Sequence, residues 1–194
     1  MNPDALPRCT PEAFEQRYRE RPDPWNFQTS PYERRRYKVT LAALTQPRYS
    51  YAFEPGCSLG ELTALLAQRC QQVFATDVSP SAVSRARQRC IAYENVHIEC
   101  ADLRNLRLEV RPDLIVLSEI AYYFDSEQLA DLARRLSNVL REGGTLLAVH
   151  WLGDSRDHVL HGDEAHKVLL RQLDLRHELG KRHSGFRLDR WSRS

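Results

Sequence analysis

The sequence has little charge imbalance. Its 194 residues carry 28 Lys and Arg against 26 Asp and Glu, a formal net charge of +2. Such a balance gives no general footprint for nucleic acid or an anionic membrane surface. No run of about 18 apolar residues occurs, so no membrane-spanning helix is expected. Met1-Asn2-Pro3-Asp4 lacks the basic-then-apolar pattern of a secretory signal, and a cytoplasmic protein is expected. The cysteines, Cys9, Cys57, Cys70, Cys90 and Cys100, are odd in number and form no C-x-x-C pair. They read as separate reduced thiols, not as a disulfide framework. His158, His161 and His166 do not stand at zinc-ligand spacing and have no cysteine beside them, so no metal site is expected. No internal repeat, low-complexity tract or linker breaks the chain, and its length suits one domain with one core.

What is present centres on Glu54-Pro55-Gly56-Cys57-Ser58-Leu59-Gly60. The apolar Tyr51-Ala52-Phe53 before it reads as a strand, and Glu61 to Ala67 after it reads as a helix. A strand that turns through glycines into a helix brings backbone N–H groups close to a ligand. The ligand is not a P-loop phosphate, because Glu61 stands where Lys and Ser/Thr are needed. The G-x-G-x-x-G dinucleotide fingerprint is also absent. An acidic residue ahead of the glycines suits a ligand with an ammonium group. The alternative is a tight strand–helix turn that holds nothing.

Before this unit the chain is helical. A loose arm is expected before Thr10, then a helix with Thr10 as N-cap and Pro11 at its first position. Phe14 and Tyr18 fall on that helix, and Pro22 and Pro24 break it. Trp25 and Phe27 follow as a plug over the core or a lid on a flat ligand. Ser30-Pro31-Tyr32-Glu33 predicts a capping box, with a helix to about Leu44 that buries Tyr37, Leu41 and Leu44. Arg34, Arg35, Arg36 and Lys38 on it form a solvated face, or one of them meets a carboxylate.

After the central loop, strands are expected at 72–77, 96–100, 113–117 and 145–149. Helices are expected after Ser79-Pro80, from Ser126 to Gly143, and from Gly162 to about Leu173. Strands at 175–179 and 186–191 then flank a turn at Ser184-Gly185. Strands alternating with helices imply an α/β, Rossmann-like, doubly wound parallel sheet closed by a hairpin. A single domain is expected, with a helical lid over 1–46, a ligand-binding core over 47–151 and a closing helix and hairpin over 152–194. The lid stretch from Trp25 to Tyr37 is expected to order when ligand binds.

In such a sheet, ligands bind outside the carboxyl ends of the strands. Glu54, Asp77, Asp102 and Glu119 all fall there. A carboxylate after the second strand suits the two hydroxyls of a ribose, and one after the third an adenine amino group. Each acid alone also fits a cap or an Asx turn.

With these residues in register, the chain resembles the class I S-adenosylmethionine-dependent methyltransferases. The match rests on Glu54-x-Gly56-x-Ser58-x-Gly60, Asp77-Val78, Cys100-Ala101-Asp102-Leu103 and Asp113 to Glu119. It is closer still to the nodulation-type N-methyltransferases, the NodS family. The added likeness lies in Asp23-Pro24-Trp25, Ser30 to Glu33, Arg36-Tyr37, Glu54 to Cys57, and Glu119-Ile120-Ala121-Tyr122-Tyr123-Phe124. Ser58 departs from the commoner central glycine.

The resemblance implies a seven-stranded sheet with an antiparallel last strand and S-adenosyl-L-methionine as cofactor. Gly56, Ser58 and Gly60 would line the methionine moiety beside Glu54, Asp77 would hold the ribose, and Val78, Asp102 and Leu103 would meet adenine. Trp25 and Arg36 would close the lid, with Arg36 on the methionine carboxylate and Glu119 near the sulfonium. The expected acceptor is a small polar molecule, most simply an amine such as an amino sugar, not a lipid or nucleic acid. Its expected walls are Tyr122, Tyr123, His150, Trp151 and His161 with Asp163 and Glu164. Glu119, Tyr122 and His150 are the candidate catalytic groups. O-methylation, a non-catalytic methyltransferase-like module and, more distantly, an RNA methyltransferase are the alternatives.

Overall fold

The computed structural model describes residues 9–194. The arm expected before Thr10 lies outside the described residues, except for Cys9. Helix α1 (Pro11–Glu20) starts as its sequence dictates: the Thr10 hydroxyl accepts from the Ala13 amide and Pro11 fills the first position. Helix α2 (Pro31–Ala42) starts the same way on Ser30, whose hydroxyl accepts from the Glu33 amide. The predicted capping box is only half made, because the Glu33 carboxylate turns to Arg36 instead. A buried guanidinium claims a carboxylate more strongly than a helix-end amide does.

The unit then alternates: β1 (Tyr49–Pro55), α3 (Glu61–Ala67), β2 (Cys70–Asp77), α4 (Pro80–Arg89), β3 (Val96–Cys100) and β4 (Leu114–Ser118). It continues with α5 (Ser126–Val139), β5 (Thr145–Trp151), α6 (Gly162–Gln172), β6 (Arg176–Arg182) and β7 (Phe186–Ser192). All strands join one seven-stranded sheet in the order β3-β2-β1-β4-β5-β7-β6. β1 to β5 pair in parallel, and β7 inserts antiparallel between β5 and β6. The doubly wound sheet expected from the sequence is therefore present, and the strand order reverses between β1 and β4. That places a crevice at their carboxyl ends.

The period-2 alternation of the central strands separates two apolar layers. Ile115 and Leu117 of β4 join Leu129, Leu132 and Leu136 of α5 on one face. Leu114 and Val116 join Leu62 and Leu66 of α3 on the other.

β1 begins earlier than the apolar run suggested. The Asp113 carboxylate, buried at the start of β4, accepts the Ser50 and Tyr51 amides at 2.8 Å each. This side-chain clamp extends the pairing of β1 toward its N-terminus. Asp113→Ala should leave both amides without an acceptor and lower stability by about 2–4 kcal/mol. Urea denaturation checks this, and a loss under about 1 kcal/mol would show the clamp to be dispensable.

Candidate active site

The loop after β1 makes its turn through left-handed residues. Gly56, Ser58 and Gly60 have φ of 72°, 50° and 78°. Positive φ is easy for glycine and strained for serine. Contacts on both sides of Ser58 hold it there: its amide donates to Asp77 Oδ2 at 2.9 Å, and its hydroxyl receives the Tyr18 hydroxyl at 2.6 Å. A serine thus gives the lid a fastening point that a glycine would not. At Gly56 a Cβ would stand 2.7 Å from Ile120 Cδ1, so the loop and the segment after β4 touch through a missing side chain. Gly60 differs from the expectation. It does not line the pocket; a Cβ there would meet the Ala86 backbone at 3.1 Å, so its smallness serves the packing of α3 on α4.

The pocket lies over the carboxyl ends of β1, β2 and β4. Gly56, Ser58 and Asp77 form its floor, Val78, Asp102 and Leu103 one end, and Arg36, Glu119 and Tyr123 the other. Phe14, Tyr18, Trp25 and Phe27 from the N-terminal segment roof it. The roof is a connected aromatic layer: Tyr18 meets Trp25 edge-on at 5.4 Å, Trp25 stacks on Phe27 at 5.7 Å, and Phe14 meets Tyr123 edge-on at 4.9 Å. Trp25 therefore packs on Tyr18 and Phe27 and also lines the pocket.

The charges of the pocket are predominantly negative. Glu54 is buried and accepts from the Thr63 hydroxyl at 2.7 Å, and among the described residues no cation pairs with it. Burial pushes its carboxyl up to about 8, against the Thr63 bond, and Asp77 adds to the rise. Burial also raises Asp77, to about 6, although the amides of Ser79, Ser58 and Val78 favour its charge. Asp102 accepts the Arg104 amide at 2.9 Å and pairs with the Arg104 guanidinium, so it closes an Asx turn while lining the pocket.

Arg36 is buried at the other end. Its Nη1 reaches Ser118 Oγ at 2.9 Å and Glu119 Oε1 at 3.1 Å, and its other nitrogens hold Glu33. Burial opposes its charge, but Glu119 and Glu33 outweigh burial and raise its pKa above the ordinary arginine value. Arg36 thus fastens α2 to the end of β4. Glu119 itself has φ of 58°. Its Oε1 also accepts the Trp151 amide at 2.8 Å, and its Oε2 accepts the Tyr122 hydroxyl at 2.7 Å.

Much of the expected acceptor wall is elsewhere. Tyr122 is buried outside the pocket, and burial, then Glu119, raises its hydroxyl well above the usual range. It is a donor to Glu119, not a base. His150 is fully buried, with Nε2 accepting the Ala121 amide at 3.0 Å and Nδ1 3.0 Å from His166. It cannot reach an acceptor, because β5 lies between β4 and β7 and α6 packs against it. His161 caps α6: it accepts the Asp163 amide and bonds Leu152 O, while Glu164 completes the capping box. Asp163 pairs with Arg182 and Arg187, and Trp151 packs against His158. Of the expected wall only Tyr123 lines the pocket.

The structure also recruits residues that the sequence left unassigned. Ile120 and, from α1, Phe14 and Tyr18 line the pocket. Glu15 accepts from the Ser79 and Ser81 hydroxyls at 2.6 and 2.7 Å and from the Ser81 amide at 3.0 Å. These bonds outweigh its burial and hold its carboxyl down to about 2, tying α1 to the start of α4. The i, i+4 pair Phe14 and Tyr18 signalled a buried stripe, but nothing local named its partner.

The comparisons agree with this geometry. The sequence matches the family Nodulation protein S (NodS) over residues 12–182. It is 33% identical to Nodulation protein S of Rhizobium tropici over 139 residues, 70% of this chain and 56% of that protein. Nodulation protein S of Bradyrhizobium diazoefficiens is 30% identical over 139 residues, 71% of this chain and 65% of that protein. The chain spans about half to two thirds of the length of the curated relatives it matches. Among solved structures, N-methyltransferase NodS from Bradyrhizobium japonicum WM9, in complex with S-adenosyl-L-homocysteine, superposes with a TM-score of 0.81 at 25% identity, covering 93% of this chain and 97% of that one. A Pseudomonas syringae protein superposes with a TM-score of 0.70 at 36% identity, covering 84% of this chain and 99% of that one. The sheet is that of the class I methyltransferases, and the chain belongs to the NodS family.

Proposed function

We propose that this protein is an S-adenosylmethionine-dependent methyltransferase acting on the amino group of a small polar acceptor. The observation that carries the reading is Glu54: a buried carboxylate on the pocket, raised to about 8, with no cation beside it among the described residues. It fits a ligand that brings its own ammonium. Asp77 fits the ribose, since each of its oxygens accepts one amide and keeps lone-pair capacity toward the pocket. Val78 and Leu103 offer apolar contact at the adenine end, with Asp102 beside them.

When bound, S-adenosylmethionine would supply an electrophilic methyl group on a sulfonium. The chain's own part is to bind, orient and exclude water. The aromatic roof covers the floor, and the fastenings Glu15–Ser79/Ser81 and Tyr18–Ser58 keep it seated. The helices before β1 act as the lid. Arg36 already holds two carboxylates, so a methionine carboxylate would have to share it. Glu119, anchored by Trp151, Tyr122 and Arg36, presents negative charge at the acceptor end.

That arrangement favours an amine over a hydroxyl. A hydroxyl acceptor needs a base in reach. Tyr122, Tyr18 and His150 are each committed to another partner. A neutral amine needs alignment only; the acidic pocket attracts the protonated form from solution, and that form gives up its proton to solvent before its lone pair attacks. Asp77, Asp102 and Glu119 on the pocket also disfavour a phosphate backbone. No helix among the described residues is long and apolar enough to cross a membrane, and Cys57, Cys70, Cys90 and Cys100 are free thiols. These features suit a small-molecule enzyme in the reducing cytoplasm.

S-adenosylhomocysteine should bind and raise the melting temperature by mass action. Calorimetry at millimolar ligand without heat or shift would remove the reading. Asp77→Ala should weaken that binding by tenfold or more, and Cys57→Ala by much less, because a charged bond to ribose exceeds a thiol contact. Equal affinities would refute the ribose assignment. Offered a panel of small amines and alcohols, the enzyme should methylate amines; transfer confined to hydroxyls would overturn the acceptor class.

Glu54 adds a pH signature. Its folded pKa of about 8 stands above the ordinary 4.5, so its contribution to stability is fully present below 4.5 and lost as pH rises through 8. Glu54→Gln mimics the protonated form. The variant should therefore outlast the ligand-free wild type by up to about 4 kcal/mol at alkaline pH, while binding S-adenosylhomocysteine at least about tenfold more weakly. Parallel urea denaturation curves across pH for the two proteins would contradict this.

A further inference from the structure

A second titratable cluster lies outside the pocket, buried between β5, α6 and β7. His150, His166 and Asp189 are all 0% exposed. The Ala121 amide donates to His150 Nε2 at 3.0 Å, His150 Nδ1 stands 3.0 Å from His166 Nε2, and His166 Nδ1 stands 2.6 Å from Asp189 Oδ2. One backbone amide fixes every proton in this chain. An amide only donates, so His150 Nε2 is bare and its Nδ1 carries the hydrogen. That hydrogen goes to His166 Nε2, which must then be bare, so His166 Nδ1–H donates to Asp189.

The surroundings keep both rings neutral. Burial, followed by His166, Arg36 and His158, pulls His150 well below the ordinary histidine range. Burial lowers His166 as well, and Asp189 offsets it only in part, with Arg187 and Asp163 acting in opposite senses. The charge of Asp189 is met by Arg187 Nε at 2.6 Å, and His177 Nε2 from β6 adds a bond at 2.8 Å.

The chain ends on the turn that serves the pocket. Ala121 opens a 3-10 turn, Ala121–Tyr123, and Glu119, Ile120 and Tyr123 all line the pocket. The end of β5 holds Glu119 through its backbone: Val149 O accepts the Glu119 amide at 3.0 Å, and the Trp151 amide donates to Glu119 Oε1. His150, between them, holds Ala121 through its ring. Glu119 has a positive φ, a conformation that persists only where its neighbours fix it.

We propose that His150, His166 and Asp189 are positioning residues: a chain locked in one tautomer that sets the turn presenting Glu119, Ile120 and Tyr123 to the pocket. Its importance for catalysis rests on the methyltransferase reading above, because it acts only through those three residues. The imidazoles of His150 and His166 serve as a spacer that accepts at one end and donates at the other. An apolar pair of similar size would fill the space and leave the Ala121 amide without an acceptor.

The test begins with the wild type. Nitrogen-resolved NMR should show Nδ1–H on both rings, a bare Nε2 on both, and no titration between about pH 6 and 8. A proton on His150 Nε2, or a ring that titrates in that window, would overturn the proposal. His166→Gln and His166→Leu then separate positioning from bulk. Glutamine can accept from His150 and donate to Asp189, and leucine can do neither. In His166→Leu the His150 Nδ1–H has no acceptor and the ring is no longer held in one tautomer, so the Ala121 amide, which depends on a bare His150 Nε2, should exchange about tenfold faster, with Val149 exchange and S-adenosylhomocysteine affinity within about twofold of wild type. His166→Gln should restore Ala121 protection. Unchanged protection in the leucine variant, or equal loss in both, would refute the proposal. If His166→Leu does not fold, the wild-type spectrum decides. Failure of the wild type to bind S-adenosylhomocysteine would instead sink the methyltransferase reading and leave the exchange result standing.

Discussion

The structure depends on a positive charge that has almost no water around it. Arg36 is 1% exposed, and its guanidinium lies between Glu33 of its own helix and Glu119 at the end of β4. An isolated buried guanidinium is untenable, so both carboxylates are obligatory. Each then does something its sequence position would not suggest. Glu33 abandons the N-cap of α2, and Glu119 takes up a left-handed backbone. Because Arg36 belongs to α2 and Glu119 follows β4, the pair ties α2 to the sheet beside the pocket.

The two ends of the pocket are built on different logic. At the cofactor end, small or left-handed residues let the backbone approach, and acids stand ready for a cation: Gly56, Ser58, Glu54 and Asp77. Glu54 illustrates a trade between stability and binding, since a charge that costs the free protein stability becomes an asset when an ammonium arrives. At the acceptor end the polar groups already hold one another. Tyr122, Glu119, Trp151 and His150 form one hydrogen-bonded framework, with Tyr123 as its face toward the pocket. Such a framework orients a reactant better than it removes a proton.

Helix α1 is held largely by short polar contacts. Glu15 caps the start of α4 through two serines, and Tyr18 rests on the strained Ser58. Beneath α1 lies a cluster of Tyr18, Leu59, Ala82 and Trp25, while Tyr37 and Leu44 pack into a core layer of the sheet.

By itself the sequence determined the parts that follow from local physics. Alternating strands and helices, Pro-marked helix starts and the Gly loop specified the doubly wound sheet, because period, caps and turn chemistry act over a few residues. The same loop, with acids after successive strands, located the pocket, since in a parallel sheet every strand delivers its carboxyl end to one edge. Tertiary structure alone decided which side chains face that edge. His150 and Tyr122 stand where the chain ends a strand or begins a turn, as catalytic groups do, but α6 and β7 bury the first and Glu119 claims the second. Gly60 carries the loop's spacing yet answers to Ala86, and Asp163 and Glu164 answer to arginines and a helix cap. A polar residue's role is set by the partner it meets across the fold. Partners such as Tyr18 with Ser58, or Glu119 with Arg36, are distant in sequence, and no local pattern records them.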